Sequence, residues 1–288
     1  MPGARHSIPI LLWLVLGAAV GAAVGVAVVA TVAAGARAQV SPAPISLDTL
    51  LPGLVAAETE RVVEIVDGDT LILAGGRQVR LVGIQAPKLP LGRPGFKAWP
   101  LAAEAKAALA ELTLGREVTL AYGGRRIDRH GRALAHLFEG AGTWIQGELL
   151  ARGMARVYSF ADNRALVPEM LARERAARAA RRGIWRWRFY AVRNAEEVAQ
   201  HLGGFELVEG RVIEVAVVRK RVYLNFGADW RSDFTVTIAP RTRPLFEAQG
   251  IDPSAYEGRM LRVRGWLKSY NGPLIEATHP EQIEVLEE

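Results

Sequence analysis

Residues 61–84 read RVVEIVDGDTLILAGGRQVRLVGI, in which short runs of β-branched and apolar residues alternate with turn-forming residues. The runs are 61–66, 70–73 and 78–84, and Asp-Gly-Asp and Ala-Gly-Gly-Arg separate them. Short runs divided by such turns are typical of strands linked as hairpins. The stretch therefore predicts the start of a small antiparallel sheet.

Helices and further strands follow this sheet. Apolar residues recur at helical spacing through an Ala-rich stretch that Gly115 ends, at Leu101, Ala105, Ala108, Leu109 and Leu112. Further strands are predicted at 117–121 and 133–138, and further helices at 144–151 and 168–182. The predicted fold class is α+β, an OB-type five-stranded barrel with three helices.

A second set of strands follows Gly203-Gly204, a natural boundary. The predicted strands are 206–218, 221–226, 233–238, 259–268 and 274–277. Together they indicate a second, all-β OB-like barrel. Base stacking is open to four of its aromatic residues, Phe226, Trp230, Phe234 and Trp266. Because strand residues must also fill the barrel, we assign Phe234 and Trp266 to its core and Trp230, in a loop, to base stacking. Protein and cell-wall polymer stay open as alternative ligands of this barrel.

Residues 7–36 carry no charge and consist largely of Leu, Val, Ala and Gly. A membrane-spanning helix needs about 20 such residues, which favours a retained anchor, whereas Ala36-Arg37-Ala38 has the form of a signal-peptidase site. Cleavage after Ala38 therefore stays open. Because Arg5 precedes the segment and 39–60 lacks Lys and Arg, either alternative leaves the N-terminus in the cytoplasm and exports the body. The predicted location is the cell envelope, or a secreted or periplasmic state after cleavage.

These features divide the chain into five segments. Residues 1–38 are predicted to be a signal peptide or anchor, 39–60 a linker, 61–188 the first domain, 189–204 a second linker and 205–288 the OB-like domain. The chain has 36 Lys and Arg against 30 Asp and Glu, and no Cys. The positive charge favours nucleic acid or an anionic membrane as partner. The lack of Cys excludes thiol catalysis, disulfides and Cys-ligated zinc.

Five motifs follow one another in the first domain. They are Val-Asp-Gly-Asp-Thr at 66–70, Val-Arg-Leu-Val-Gly-Ile at 79–84, Asp-Arg-His-Gly-Arg at 128–132, Glu-Leu-Leu-Ala-Arg-Gly-Met-Ala at 148–155 and Arg-Gly-Ile-Trp at 182–185. In this order they resemble the thermonuclease (staphylococcal nuclease) family. The resemblance implies an OB-type barrel with flanking helices that hydrolyses phosphodiesters with calcium, two arginines and a carboxylate base. Residues 224–234 and Val-Arg-Gly-Trp at 263–266 resemble the accessory OB domain that follows some bacterial members.

The resemblance also assigns site residues. Arg80 and Arg132 match the two family arginines, which would meet the oxygens of a phosphodiester as it gains negative charge. Asp69 matches the metal-ligating aspartate, and Asp67 is an outer-shell carboxylate. Asp-Gly-Asp is also ordinary turn chemistry, and we expect both roles to apply.

Two positions depart from the family pattern, because an acid is replaced at each. Gln85 stands for a calcium ligand and removes one negative charge. Lys88 stands for the general base; as a cation it accepts no proton and repels calcium. We therefore expect a weak or vestigial calcium site. His130 lies in the arginine loop, where we expect it to pack rather than replace the base.

Arginines crowd two further stretches. Arg125, Arg126 and Arg129 lie in the loop before Arg132, and Arg178 and Arg182 lie in a basic run near the end of the first domain. We assign them to contacts with single-stranded DNA or RNA. Anionic lipid and plain solvation are the alternatives for the basic run.

Three functions stay open. The first is an exported or membrane-tethered nucleic-acid-binding protein whose calcium-dependent site is incomplete. The second is a working nuclease, including a metal-independent one in which Lys88 replaces calcium. The third is an envelope scaffold or protein-binding module.

Overall fold

The computed structural model describes residues 53–140 and 142–286 of the chain. The predicted anchor or signal segment, cleavage after Ala38 and most of the first predicted linker fall outside the described residues. Within the described ranges, no helix has the length and apolar character needed to cross a bilayer.

The first part of the chain forms a closed barrel with helices around it. In chain order its elements are β1 (Val55–Asp67), β2 (Thr70–Leu73), β3 (Gln78–Leu81), β4 (Ile84–Gln85), α1 (Ala102–Thr113), β5 (Glu117–Tyr122), β6 (Ala133–Glu139), β7 (Thr143–Trp144), α2 (Ile145–Ala151), β8 (Arg156–Val157) and α3 (Val167–Ala179). β1 pairs with β5 and β2, β2 pairs with β3, β3 runs parallel to β6, and β6 pairs with β5. These pairings close a five-stranded ring, so the predicted barrel and its three helices are confirmed.

The long first strand serves two neighbours because it changes register along its length. Its first half pairs with β5, its second half pairs with β2, and the register shifts between Val62 and Glu64. β1 begins at Val55, within the segment 39–60 that the sequence predicts to be a linker. The last residues of that segment therefore belong to the barrel.

The predicted strand 78–84 breaks after Leu81. Gly83 has a φ of +81°, and a Cβ atom there would lie 2.5 Å from the Met170 side chain. Glycine is needed at such a position. The chain turns here, and Ile84–Gln85 leaves the barrel to pair with β8. This turn directs Gln85 away from the third barrel strand.

Apolar side chains fill the first barrel. Leu71, Leu81, Leu120 and Leu137 are fully buried and come from four of its strands. Helices α1 and α3 add further buried residues of the same core, including Leu109 and Met170. Each such side chain stabilises the fold by about 1.5–3 kcal/mol relative to an exposed one.

The second part of the chain repeats the strand order of the first. Its elements are β9 (Arg193–Asn194), β10 (Phe205–Arg211), β11 (Glu214–Val218), β12 (Arg221–Asn225), β13 (Thr235–Ile238), α4 (Arg243–Glu247), β14 (Met260–Trp266), β15 (Lys268–Ser269), β16 (Pro273–Ala277) and β17 (Ile283–Val285). β10 pairs with β14, β11 with β12 and β12 with β13, while β13 runs parallel to β16. These four pairings correspond to those of β1 with β5 and β2, of β2 with β3 and of β3 with β6 in the first barrel, so the predicted second OB-like barrel is confirmed.

The segment 189–204, predicted to be a linker, packs against both barrels. Tyr190 Oη donates a hydrogen bond to the Pro100 carbonyl oxygen at 2.7 Å. β9 runs parallel to β10, with Arg193 opposite Val208. The segment 189–204 therefore adds a short strand to the sheet edge of the second barrel.

A buried ionic cluster joins the barrels. Arg264 on β14 is 1% exposed, and its Nη2 lies 2.9 Å from Glu174 Oε1 and 2.5 Å from Glu284 Oε1. Glu174, on α3, also accepts a hydrogen bond from the Val157 backbone nitrogen at 2.6 Å. We call Arg264, Glu174 and Glu284 the interbarrel cluster. Burial lowers the pKa of Arg264, but the two carboxylates outweigh burial and raise it.

Candidate functional site

Asp69 lies at the centre of a group of charged side chains and has no exposed surface. Lys88 Nζ lies 2.7 Å from its Oδ2 and 3.0 Å from its Oδ1. Arg80 Nη2 lies 3.2 Å from Oδ2, and the Ala86 backbone nitrogen donates to Oδ2 at 2.7 Å. We call Asp67, Asp69, Arg80 and Lys88 the Asp69 cluster. Both oxygens of its central carboxylate are bound by a cation.

The Asp-Gly-Asp turn places this carboxylate. The Asp67 side chain accepts a hydrogen bond from the Asp69 backbone nitrogen at 3.1 Å, which confirms the turn chemistry predicted for the motif. A Cβ atom on Gly68 would lie 2.7 Å from Ala86 and 2.8 Å from Ala105. The turn therefore packs directly under α1 and under the residue that follows Gln85.

The two aspartates differ in their pKa. Burial would raise the pKa of Asp69, but the charges of Arg80 and Lys88 lower it to about 2. Burial and the neighbouring Asp69 charge raise the pKa of Asp67, whose Oδ2 lies 3.7 Å from Lys88 Nζ. The cation of Lys88 is thus directed chiefly at Asp69.

Arg80 braces the turn that follows β3. Its Nη1 donates to the carbonyl oxygen of Leu81 at 2.7 Å, and its Nη2 donates to that of Ile84 at 2.7 Å. These bonds hold the guanidinium beside Asp69. The side chain remains 12% exposed, so one edge of it still faces solvent.

Gln85 faces a different arginine. Its Oε1 accepts hydrogen bonds from Arg156 Nε at 3.0 Å and Arg156 Nη2 at 2.7 Å. These two bonds use both lone pairs of the amide oxygen. Arg156 is buried beneath the rings of Trp99, Tyr190 and Phe205. Burial lowers the pKa of Arg156 to about 10, which leaves the side chain charged at neutral pH.

Arg156 was missed at the sequence level. The only signal is its place in the apolar run Ala155-Arg156-Val157, where the neighbours on both sides are fully buried. A charged residue inside such a run indicates a buried partner. The partner lies 71 positions away, which spacing alone does not reveal.

These residues do not fit a calcium site. Calcium takes about six to eight oxygen ligands. The Asp69 oxygens are bound by an ammonium and a guanidinium, and the Gln85 oxygen is bound by Arg156. No group of three or more Asp, Glu or His suited to a metal ion occurs within 53–140 and 142–286.

A basic cavity of about 550 Å³ borders the Asp69 cluster. Its lining includes basic side chains of the first barrel, at Arg80, Arg125, Arg129, His130 and Arg132, and aromatic side chains at Tyr158, Phe160 and Trp266. Asp128 and Asp162 also line it. The structure thus brings both family-matched arginines to one cavity, together with two of the loop arginines.

Asp128 organises the arginine loop. Its Oδ2 accepts from Arg132 Nε at 2.8 Å, and its Oδ1 accepts from the His130 backbone nitrogen at 2.8 Å. Burial raises the pKa of Asp128, but these hydrogen bonds outweigh it and lower the pKa. The loop leaves Arg129 and His130 exposed, with Arg129 Nε 3.1 Å from His130 Nε2. Packing was therefore the wrong expectation for His130, because the loop projects into solvent.

The remaining predicted contacts lie outside this cavity. Arg126 lies over the ring of Tyr122, with 4.9 Å between its Cζ and the ring centroid. Arg178 pairs with Glu174 at 3.1 Å beside the interbarrel cluster, where its side chain is largely buried. Arg182 is exposed and donates to the Ala151 carbonyl oxygen.

The two tryptophans of the second barrel lie in different cavities. Trp230 is exposed and lines one of about 400 Å³ with Tyr223 and Tyr270. Trp266 is 46% exposed and lines the basic cavity, so its assignment to the core is wrong. Leu267, which follows it, occupies the buried position instead. The core position of Phe234 is confirmed.

Comparison with known proteins gives several matches. Residues 78–187 match the family described as staphylococcal nuclease homologue. Protein ParB of Escherichia coli is 34% identical over 141 residues, which cover 43% of this chain and 70% of that protein. An uncharacterized protein of Bacillus anthracis is 35% identical over 136 residues, 43% of this chain and 59% of that one. Thermonuclease of Staphylococcus hyicus is 26% identical over 131 residues, 44% of this chain and 76% of that enzyme.

Proposed function

The chain belongs to the staphylococcal nuclease family, and from this premise we propose that it binds single-stranded nucleic acid in its basic cavity without calcium-dependent cleavage. One observation carries the proposal. Lys88 Nζ lies 2.7 and 3.0 Å from the two oxygens of Asp69, the carboxylate that matches a direct metal ligand of the family.

The ammonium group of Lys88 opposes both calcium binding and the activation of water at this site. It neutralises the carboxylate that a divalent ion would need, and it repels such an ion. It also stands where the family has a base, so no carboxylate remains there to activate water. Gln85 does not compensate, because its oxygen is bound by Arg156.

The cavity retains what a nucleic-acid strand requires. Arginines suit phosphate because the guanidinium fork donates paired hydrogen bonds and stays charged. Arg129 and Arg132 line the cavity from the loop and have exposed surface, and Arg80 contributes one edge. Binding of this kind is electrostatic and tolerates any sequence.

The proposal includes an envelope location. The uncharged segment 7–36 supports either a retained anchor or release after Ala38. Mass spectrometry of the protein purified from membrane and soluble fractions distinguishes the two. A protein that begins at Gln39 indicates cleavage, and an intact N-terminus in the membrane fraction indicates the anchor. Intact protein in the cytosol would contradict export.

The experiment uses the full-length protein in mild detergent. Fluorescence anisotropy measures its affinity for a short labelled oligo(dT) at increasing potassium chloride, and gel analysis measures cleavage with calcium and with chelator. We expect log affinity to fall linearly with log salt, by about 0.7 per phosphate contacted. We expect cleavage at background in both conditions, beside a calcium-dependent nuclease as positive control.

Other outcomes identify the alternatives. Calcium-dependent cleavage would overturn the proposal in favour of a working nuclease. Cleavage that survives the chelator would indicate that Lys88 acts as a built-in cation. Absence of binding at every salt concentration would leave an envelope scaffold.

A further inference from the structure

We infer that the second barrel completes the nucleic-acid site of the first, with Trp266 stacking on an unpaired base. The base would lie against an aromatic wall formed by Trp266, Tyr158 and Phe160. The adjoining phosphates would face Arg129 and Arg132. The inference rests on the proposed function. It adds that the second barrel contacts a base of the bound strand.

The aromatic wall crosses the boundary between the barrels. Trp266 Nε1 donates a hydrogen bond to Tyr158 Oη at 2.9 Å. The ring of Tyr158 meets that of Phe160 edge to face, with 4.8 Å between centroids and 87° between planes. It meets the ring of Phe205 at the same centroid distance and 77°. Contacts of this geometry orient each ring against the next.

The wall keeps large apolar surfaces open to solvent. Trp266 is 46% exposed and Phe160 is 48% exposed, and both line the basic cavity. Single exposed aromatic residues need no explanation. Two that share a concave site with arginines are typical of single-strand binding, where phosphates meet cations and bases stack on rings.

The position of Trp266 is fixed from two sides. It lies opposite Phe205 in the pairing of β10 with β14. Two residues earlier on the same strand, Arg264 is bound to Glu174 of the first barrel. A ring held in this way loses little conformational entropy when a base stacks on it.

Stacking on the wall selects for unpaired bases of any sequence. Every base has a π face, but a duplex hides these faces in its own stack. The ligand of this site is therefore single-stranded. Its affinity should have two contributions, one from stacking of the base and one from the phosphate contacts.

The test compares two probes on full-length protein, labelled oligo(dT) and an abasic strand with the same number of phosphates. Trp266→Ala should weaken oligo(dT) binding by about 5- to 100-fold and leave abasic-strand binding unchanged. Trp266→Phe should keep most of the affinity. Trp187→Ala is the matched control, because Trp187 is 49% exposed and lies outside the cavity lining. It should bind both probes as wild type does.

Phe160→Ala provides a second variant if Trp266→Ala unfolds, because Phe160 is exposed and lies outside the barrel strands. It should show the same selective loss. Unchanged oligo(dT) binding in a folded Trp266→Ala or Phe160→Ala variant would overturn the inference and leave the proposed function standing. Equal loss on both probes would also overturn it, because that indicates a structural role. If wild type binds neither probe, the proposed function fails as well.

Discussion

The molecule contains two buried charge clusters of opposite composition. In the Asp69 cluster one fully buried carboxylate meets the cations of Lys88 and Arg80. In the interbarrel cluster one fully buried guanidinium meets the carboxylates of Glu174 and Glu284. Each central charge is compensated, as burial requires. The Asp69 cluster borders a cavity, and the interbarrel cluster is enclosed between the barrels. A buried, compensated charge therefore supports a binding site in one place and holds two barrels together in the other.

The largest effect is expected from reversing the cation of the Asp69 cluster. Lys88→Glu combined with Gln85→Asp removes the ammonium and restores the two acids that the family pattern has at these positions. We expect calcium binding and a rise of about 10²- to 10⁴-fold in calcium-dependent cleavage, the typical contribution of a positioned base. Cleavage of a labelled oligonucleotide measures it, and calorimetry measures calcium binding. Lys220→Glu, which makes the same exchange as Lys88→Glu on an exposed residue of the second barrel, is the control. A folded, calcium-bound double variant that stays at background would show that our account of the defect is wrong.

The second-largest effect is expected on stability, from loss of the central charge of the interbarrel cluster. Arg264→Met leaves Glu174 and Glu284 buried without their shared partner, and we expect the free energy of unfolding to fall by about 3 kcal/mol. Urea denaturation followed by circular dichroism measures it. Lys268→Met is the control, because that side chain is 60% exposed and lies 3.6 Å from Glu276. Its loss should cost less than about 1 kcal/mol. Equal effects from the two variants would contradict the distinction between an enclosed and an exposed pair.

A smaller effect is expected from acid, which should reduce the contribution of the Asp69 cluster to the free energy of unfolding. The pKa of Asp69 is lowered to about 2 in the folded protein. Its contribution is therefore present above the unfolded pKa of about 4 and is lost as the pH falls through about 2, a change on the order of 2 kcal/mol. Lys88→Met removes one of the two cations that lower the pKa of Asp69. The free energy of unfolding of this variant should therefore fall less as the pH drops through the same range. Urea titrations at several pH values measure this, with Lys220→Met as the control. An unaltered acid dependence in Lys88→Met would contradict the role of the ammonium.

The smallest effect concerns a single phosphate contact. Arg129→Ala should reduce the slope of log affinity against log salt by about 0.7 to 1, because one cation leaves the cavity. Anisotropy titrations with oligo(dT) measure the slope. Arg116→Ala is the matched control, since Arg116 is exposed and pairs with Glu139 on the first barrel. A slope that changes equally in both variants would indicate that general charge, rather than the cavity, attracts the strand.

Sequence patterns predicted both barrels because local signals define them. Gly83 and the Asp-Gly-Asp turn have requirements that only a few residue types meet, and those residues stand at fixed places in the motifs. The first strand was predicted to begin at residue 61, but β1 begins at Val55. Residues 55–60 follow a proline-containing segment and lack a strong apolar pattern, so the sequence gives no clear sign of a strand there.

The details of the site depended on distant partners. The pairing of Gln85 with Arg156 and that of Tyr158 with Trp266 join residues far apart in the chain. Arg178 and Arg129 look alike in sequence, yet one lies beside Glu174 and the other faces the cavity. Which arginines meet solvent is decided by the packing of one barrel on the other, and that packing leaves no local signature.

Glu174 belongs to the first barrel and Arg264 to the second, and the two buried side chains form an ion pair where the barrels meet. Either barrel expressed alone would expose half of this cluster to water, Glu174 with Arg178 in the first barrel and Arg264 with Glu284 in the second. The two therefore form a single cooperative unit, in which heat should melt both barrels in one transition. The family match ends at residue 187, whereas we expect the independently stable unit to include the second barrel. An accessory barrel that carries Arg264 should therefore dock only on a first barrel that carries a carboxylate at the position of Glu174.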